Sequence, residues 1–133
     1  CYRGMGNGFM EFEGAITSHH LLAVLPVRAE VLTWQEAEFL QVLQDAVQAA
    51  RLRPLGKLSF QFQPQGVSAI VLLEESHVAL HFWPEQGRVT IDIHTCDYQE
   101  DNYPKAMALA ERLTLALFGK PAPERWRCLS VTG

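Results

Sequence analysis

Gly66-Val67-Ser68 opens an apolar run, Ala69-Ile70-Val71-Leu72-Leu73. Glu74-Glu75-Ser76-His77 interrupts it, and Val78-Ala79-Leu80-His81-Phe82-Trp83-Pro84-Glu85 resumes it. The two apolar halves have the composition of β-strand. The middle does not, because unpaired charge is costly to bury. The pattern predicts strands at 67–74 and 77–82 with a break between them. Several local rules broken in succession mark a candidate functional site.

Before this stretch, Pro64-Gln65-Gly66 reads as a turn. Residues 58–63 alternate as a strand, with Leu58, Phe60 and Phe62 on one face. Further back, Thr33-Trp34-Gln35-Glu36 reads as a capping box with Thr33 as the cap. Leu40, Leu43, Val47 and Ala50 then recur at helical spacing, so a helix is predicted over 34–52, ended by Pro54 and Gly56. A first strand is predicted over 15–27, and the glycine-rich residues 1–10 are expected to be loosely ordered.

After it, Pro84 to Gly87 turns the chain and 88–95 is a further strand. Asp101-Asn102-Tyr103-Pro104 starts a second helix, with proline tolerated in the first turn. Ala106, Leu109, Ala110, Leu113 and Leu117 form its buried stripe, Gly119 ends it, and a short strand follows at 126–131. Summarised as β-α-β-β-β-α-β, this is an α+β two-layer sandwich: an antiparallel sheet with helices on one face. The other face must be covered by something. Residues 1–133 read as a single domain without internal repeats.

A hydrophobic content of 48% with 20% charge is that of an ordinary globular domain. The net charge of -4 and the lack of a basic run argue against nucleic acid as a partner. No apolar stretch is long enough to span a bilayer, and the opening residues do not read as a signal peptide. Cys1, Cys96 and Cys128 form no disulfide framework, so reduced thiols and a cytoplasmic location are expected. His77, His81 and His94 put three imidazoles on neighbouring strands. No carboxylate or cysteine spacing completes a metal site with them, and no metal is expected. His19 and His20 read as surface or edge residues, and Cys128 has no assignable role.

Gly66-Val67-Ser68, Glu75-Ser76-His77, His81, Trp83-Pro84-Glu85 and Thr95-Cys96 arrive in that order. As a set, over roughly residues 56–118, they resemble the small prokaryotic type of pyruvoyl-dependent S-adenosylmethionine decarboxylase proenzyme. The resemblance implies autocatalytic cleavage between Glu75 and Ser76, with Ser76 converted to a pyruvoyl group. That group forms a Schiff base with a substrate amine and acts as an electron sink. Position by position, His81 is implied as the proton acceptor in processing, and Ser68 as the serine that assists the acyl shift. Cys96 is implied as the catalytic proton donor; an ordinary thiol, with a pKa of about 8.5, is protonated at neutral pH. Phe62 and Glu85 match positions that stack on adenine and hold ribose. Glu13, in Phe12-Glu13-Gly14, resembles the opening of the eukaryotic members and is a further substrate-binding candidate. A homodimer with active sites near its interface is also implied.

The local geometry sets a condition on this reading. Ser76 and His81 are five apart and face opposite sides of a regular strand, and Ser68 lies eight residues before Ser76. The strand must therefore break, and a turn must bring Ser68 near. The chain also departs from the family: Leu21 to Val27 lack its acidic and aromatic positions, and Asp97 stands where a glycine is usual. Asp97, Glu100 and Asp101 suit either a cationic substrate or the start of a helix. Three functions follow. The first is S-adenosylmethionine decarboxylation for polyamine (spermidine) biosynthesis. The second is the same machinery on ornithine or arginine. The third is an unprocessed, non-catalytic homologue that serves as a binding or regulatory subunit.

Overall fold

The computed structural model describes residues 14–133. Residues 1–10 and Glu13, for which expectations were stated, lie outside the described residues. Six strands form one sheet: β1 (Thr17–Pro26), β2 (Pro54–Gln61), β3 (Val67–Leu73), β4 (Ser76–Trp83), β5 (Arg88–Cys96) and β6 (Trp126–Thr132). Their spatial order is β2-β3-β4-β5-β1-β6, and every neighbouring pair is antiparallel. Two helices, α1 (Glu36–Ala49) and α2 (Tyr103–Leu117), cover one face. α1 crosses β2 and β3, and α2 crosses β1 and β5.

The α+β sandwich is as expected, but the central meander has four strands, one more than the order β-α-β-β-β-α-β contains. The run 67–83 is two strands of one hairpin, in which Leu73 pairs with Ser76 and only Glu74 and Glu75 form the turn. Two further boundaries differ. Thr33 does not cap α1, because its hydroxyl donates to the Glu30 carbonyl inside a 3-10 turn at Ala29–Thr33. Gln35 is the cap, in a reciprocal box with Glu38. β2 starts at Pro54 rather than at 58, with a bulge between Pro54 and Gly56. β2 is an edge strand, where a proline's missing N–H leaves no ladder bond unmade.

Alternation decides what lies under the helices. Leu21, Ala23 and Leu25 of β1, Val67, Ala69 and Val71 of β3, Val78, Leu80 and Phe82 of β4, and Val89, Ile91 and Ile93 of β5 point to one side and are buried. The helices meet them with Phe39, Leu43 and Val47 from α1 and the stripe Ala106, Leu109, Ala110, Leu113 and Leu117 from α2. The opposite parity leaves Leu22, Val24, Leu58, Phe60, Ile70, Leu72 and Trp83 exposed on a face that no helix among the described residues covers. Phe39 is fully buried, with its ring 4.8 Å from that of Phe82 and 5.4 Å from that of Trp34. Phe39→Ala is expected to destabilise the fold by about 3 to 5 kcal/mol through the cavity it leaves. Urea unfolding followed by tryptophan fluorescence checks this; a loss near zero would mean that the ring does not anchor α1 to the sheet.

Candidate active site

The sharp hairpin at Glu74-Glu75 determines the site. Two-residue hairpin turns favour positive φ at the loop residues, which glycine and asparagine supply. Here the loop residues are both glutamate, and the positive φ falls on the next residue, Ser76, at 154°. A side-chain-bearing residue in that region carries strain of order 1 to 3 kcal/mol. The turn is held from outside by Arg53. Its backbone N–H donates to Glu75 Oε1 (3.2 Å), its guanidinium meets Glu74 Oε2 (3.3 Å), and its carbonyl accepts from the Glu74 N–H (2.8 Å). Glu75 is buried by this arrangement.

Cys96 ends β5 beside this turn. Its N–H donates to the Glu75 carbonyl oxygen at 2.8 Å, and the Ser76 hydroxyl donates to its Sγ at 3.6 Å. The carbonyl that Ser76 would attack is thus already polarised by a backbone donor, as in an oxyanion hole. Next to Cys96, three imidazoles from three strands pack together. His94 stacks on His20 of β1 with centroids 4.2 Å apart, meets His77 of β4 edge-on at 5.2 Å, and has Nε2 3.7 Å from Cys96 Sγ. Burial, then the nearby His20 and His77, push the His94 pKa from 6.5 down to about 4.

Ser68 and His81 also meet, but elsewhere. They are directly paired across β3 and β4, with Ser68 Oγ 2.7 Å from His81 Nδ1. Five residues of β4 separate them from Ser76, about 16 Å at strand rise. The expectation that a turn would bring Ser68 near Ser76 is therefore corrected. An antiparallel hairpin returns the chain beside itself, so the turn places Ser68 against His81, at the far end from the candidate cut. Phe62 and Glu85 lie at that far end too. Phe62 is half-exposed with its ring 4.8 Å from Phe60, and Glu85 accepts from Gln65 Nε2 at 3.1 Å. The sheet thus carries two separate groups of predicted residues near opposite ends of the β3–β4 hairpin, Ser76 with Cys96 and Ser68 with His81.

Asp97 is held by His19 and by the start of α2. Its Oδ1 accepts from His19 Nε2 (2.8 Å) and from the Asn102 N–H (3.0 Å), while His19 Nδ1 meets Ser130 Oγ (2.7 Å). Desolvation pushes the Asp97 carboxyl up, but the Asn102 N–H and then His19 outweigh it and hold the pKa below the usual value. Asp101 accepts from the Tyr103 N–H and Glu100 pairs with Lys105, so the acidic loop is occupied at the start of α2. His19 is buried rather than at the surface. His19, Asp97 and Asp101 are the trio whose donor atoms come close enough for a metal among the described residues, and both acids are exposed. The signal missed in the sequence was the register of β1 on β5, which sets His20 opposite His94 and His19 opposite Thr95. A cavity of about 270 Å³ between α2 and β6, lined in part by Thr114, Trp126 and Cys128, lies on the helix side and holds none of the predicted site residues.

Because the folded His94 binds its proton less readily than the unfolded chain does, its contribution to stability is present above pH 6.5 and is lost as pH falls toward about 4. His94→Phe keeps a ring in the stack and removes that titration. Urea midpoints at about pH 7.5 and about pH 5 are expected to differ less in this variant than in the wild type. An equal difference in both proteins would show that His94 does not carry the shift.

Comparison with known proteins identifies the family and the fold. The S-adenosylmethionine decarboxylase family matches residues 19–118. A protein of Archaeoglobus fulgidus named S-adenosylmethionine decarboxylase proenzyme is 41% identical over 81 residues, 61% of this chain and 72% of that protein. A like-named protein of Picrophilus torridus is 38% identical over 82 residues, covering 62% of each chain, so the match spans less than two thirds of that relative. The crystal structure of the adenosylmethionine decarboxylase from Aquifex aeolicus superposes with a TM-score of 0.66 at 27% identity, over 90% of this chain and 89% of that one. With its hairpin serine, its adjoining cysteine and three quarters of its length matched, the chain belongs to the S-adenosylmethionine decarboxylase family.

Proposed function

We propose that this protein is a self-processing pyruvoyl-dependent decarboxylase that cuts itself between Glu75 and Ser76 and acts on S-adenosylmethionine as a homodimer. The observation that carries the reading is the strained Ser76, with its hydroxyl against Cys96 and the preceding carbonyl held by the Cys96 N–H. In processing, the Ser76 hydroxyl adds to the Glu75 carbonyl carbon and the peptide C–N bond gives way to an ester. His81 then removes the α-proton of Ser76, the ester C–O bond breaks, and Glu75 leaves as a carboxylate. Hydration releases ammonia from the new terminus. The residues present fit the pyruvoyl group that results. Ser76 heads β4 and is paired on both sides, with Leu73 and with Thr95, so a cut before it leaves the new terminus anchored beside Cys96. When formed, the group supplies the electron sink for loss of carbon dioxide. Cys96 donates the proton that replaces the lost carboxylate.

His81 can serve Ser76 only from a second copy, because within one chain the two are about 16 Å apart along β4. The uncovered sheet face suits that copy. It is apolar, with Leu58 and Phe60 at 70% and 60% exposure, and such patches mark interfaces. It also carries Cys96, which the Ser76 hydroxyl meets, near one end and the Ser68–His81 pair near the other. A two-fold axis between two such faces lays the Ser76–Cys96 end of one protomer over the Ser68–His81 end of its partner, with Phe62 and Glu85 of that end beside it. The ornithine or arginine reading draws less support, since Asp97, Glu100 and Asp101 already have protein partners.

Five outcomes test this. Intact mass should show two fragments split at 75/76, and Ser76→Ala should remain whole. Co-expressing Ser76→Ala with His81→Ala, each uncut alone, should restore cutting in the His81→Ala chain; a mixed dimer without any cut would refute the shared site. Cys96→Ala retains the backbone N–H, so it should still cut while turning over about a hundredfold more slowly. Release of labelled carbon dioxide should be greatest from S-adenosylmethionine, and a preference for ornithine or arginine would reassign the substrate.

A further inference from the structure

Asn102 stands at the amino end of α2, where asparagine side chains ordinarily cap the helix. It makes no cap bond. Asp101 Oδ1 receives the Tyr103 N–H in its stead. The Asn102 amide turns back and donates from Nδ2 to the Cys96 carbonyl at 2.9 Å. Its Oδ1 is buried without a protein partner among the described residues, so the side chain acts at this place as a donor. Asn102 is 1% exposed and His19 is 7% exposed. Buried polar groups of this kind are costly unless they serve a structure that needs them.

Several of the bonds around Cys96 run through its backbone. Asn102 Nδ2 holds its carbonyl. The next residue, Asp97, has its N–H on the Thr17 carbonyl and its carboxylate between His19 and the Asn102 N–H. On the other side, the Cys96 N–H holds the Glu75 carbonyl. That last bond ties Cys96 to Ser76 only while the peptide between 75 and 76 is intact. Once the chain is cut, Glu75 is a free end, while the Asn102 bond to the Cys96 carbonyl, with Asp97 and His19 behind it, does not depend on the peptide between 75 and 76.

We propose that Asn102, braced by Asp97 and His19, is a positioning residue that keeps the Cys96 thiol at the reacting end of β4 after the chain has been cut. This rests on the reading of Cys96 as proton donor. It separates two phases of the protein's life. Processing relies on the Glu75 carbonyl and tolerates a loosened Cys96 carbonyl. Turnover needs the thiol within reach of one carbon, where a misplacement of about 1 Å costs on the order of a hundredfold.

Asn102→Asp is the discriminating variant, since it keeps the shape, removes the Nδ2 donor and suits a helix amino end. Iodoacetamide alkylation of Cys96, followed by the mass of its peptide with Cys128 as the reference on the same chain, reads the position of the thiol without relying on turnover. In the cut protein the variant is expected to alkylate Cys96 about tenfold faster than wild type, while in the uncut Ser76→Ala background the change is about twofold or less. Cutting at 75/76 is expected to proceed as in wild type, with kcat down about tenfold and KM unchanged. A Cys96 rate within about twofold of wild type in the cut variant overturns the proposal. If Asn102→Asp does not fold, Asp97→Gly removes the brace and carries the same expectation and the same refutation. A wild-type chain that never cuts defeats the functional reading, whereas cutting with an unmoved thiol defeats this inference alone.

Discussion

A hairpin can reverse in two residues only if the backbone takes up the twist somewhere, and in this chain it does so at Ser76. Leu73 and Ser76 must pair for β3 and β4 to continue as ladders, and Glu74 and Glu75 must span the gap. The unfavourable φ of 154° appears at the one residue whose hydroxyl is adjacent to the preceding carbonyl. The same pairing brings Cys96, at the end of the neighbouring strand, to the turn. Conformational cost, candidate nucleophile and hydrogen-bond donor thus arise from a single register.

That register has a second consequence. Because the strands run antiparallel, residues equally far from the turn face each other, and Ser68 meets His81. The two pairs cannot both be near the turn. A sheet with one oily face under helices and another oily face without described helices gives the separation a use in the proposed homodimer, where the missing partner for each pair would lie on an identical surface. The exposed Leu22, Val24, Ile70 and Leu72 would be an aggregation hazard on a lone protomer and are ordinary for a buried interface.

The acidic loop shows how local charge can mislead. Asp97, Glu100 and Asp101 suit a cationic ligand when read in sequence, yet each meets a group of this chain: His19, Lys105 and the Tyr103 N–H. Asn102 reads as part of a helix start and sits at that start, but its amide faces the strand before it. Thr33 reads as a cap and is drawn into a 3-10 turn that no periodicity announces. Each of these departures comes from competition among several nearby partners for one short polar side chain, and proximity in the fold decides it.

Alternation and helical spacing along the chain were enough to establish the layered architecture. The alternation of Val67 to Leu73 and of Val78 to Phe82, and the stripe Ala106 to Leu117, are set by which side chains water excludes, and the folded chain buries those residues. The break at Glu74-Glu75-Ser76 was legible for the same reason, since charge interrupts an apolar strand only at a turn or a site. Tertiary structure alone decided which candidate site residues are neighbours. His94 lies between His20 and His77, Asp97 reaches His19, and His81 stands a strand's length from Ser76. Spacing along a chain gives the face a side chain takes; its neighbours depend on the register of strands far apart in sequence, and that register is settled by the packing of the whole sheet.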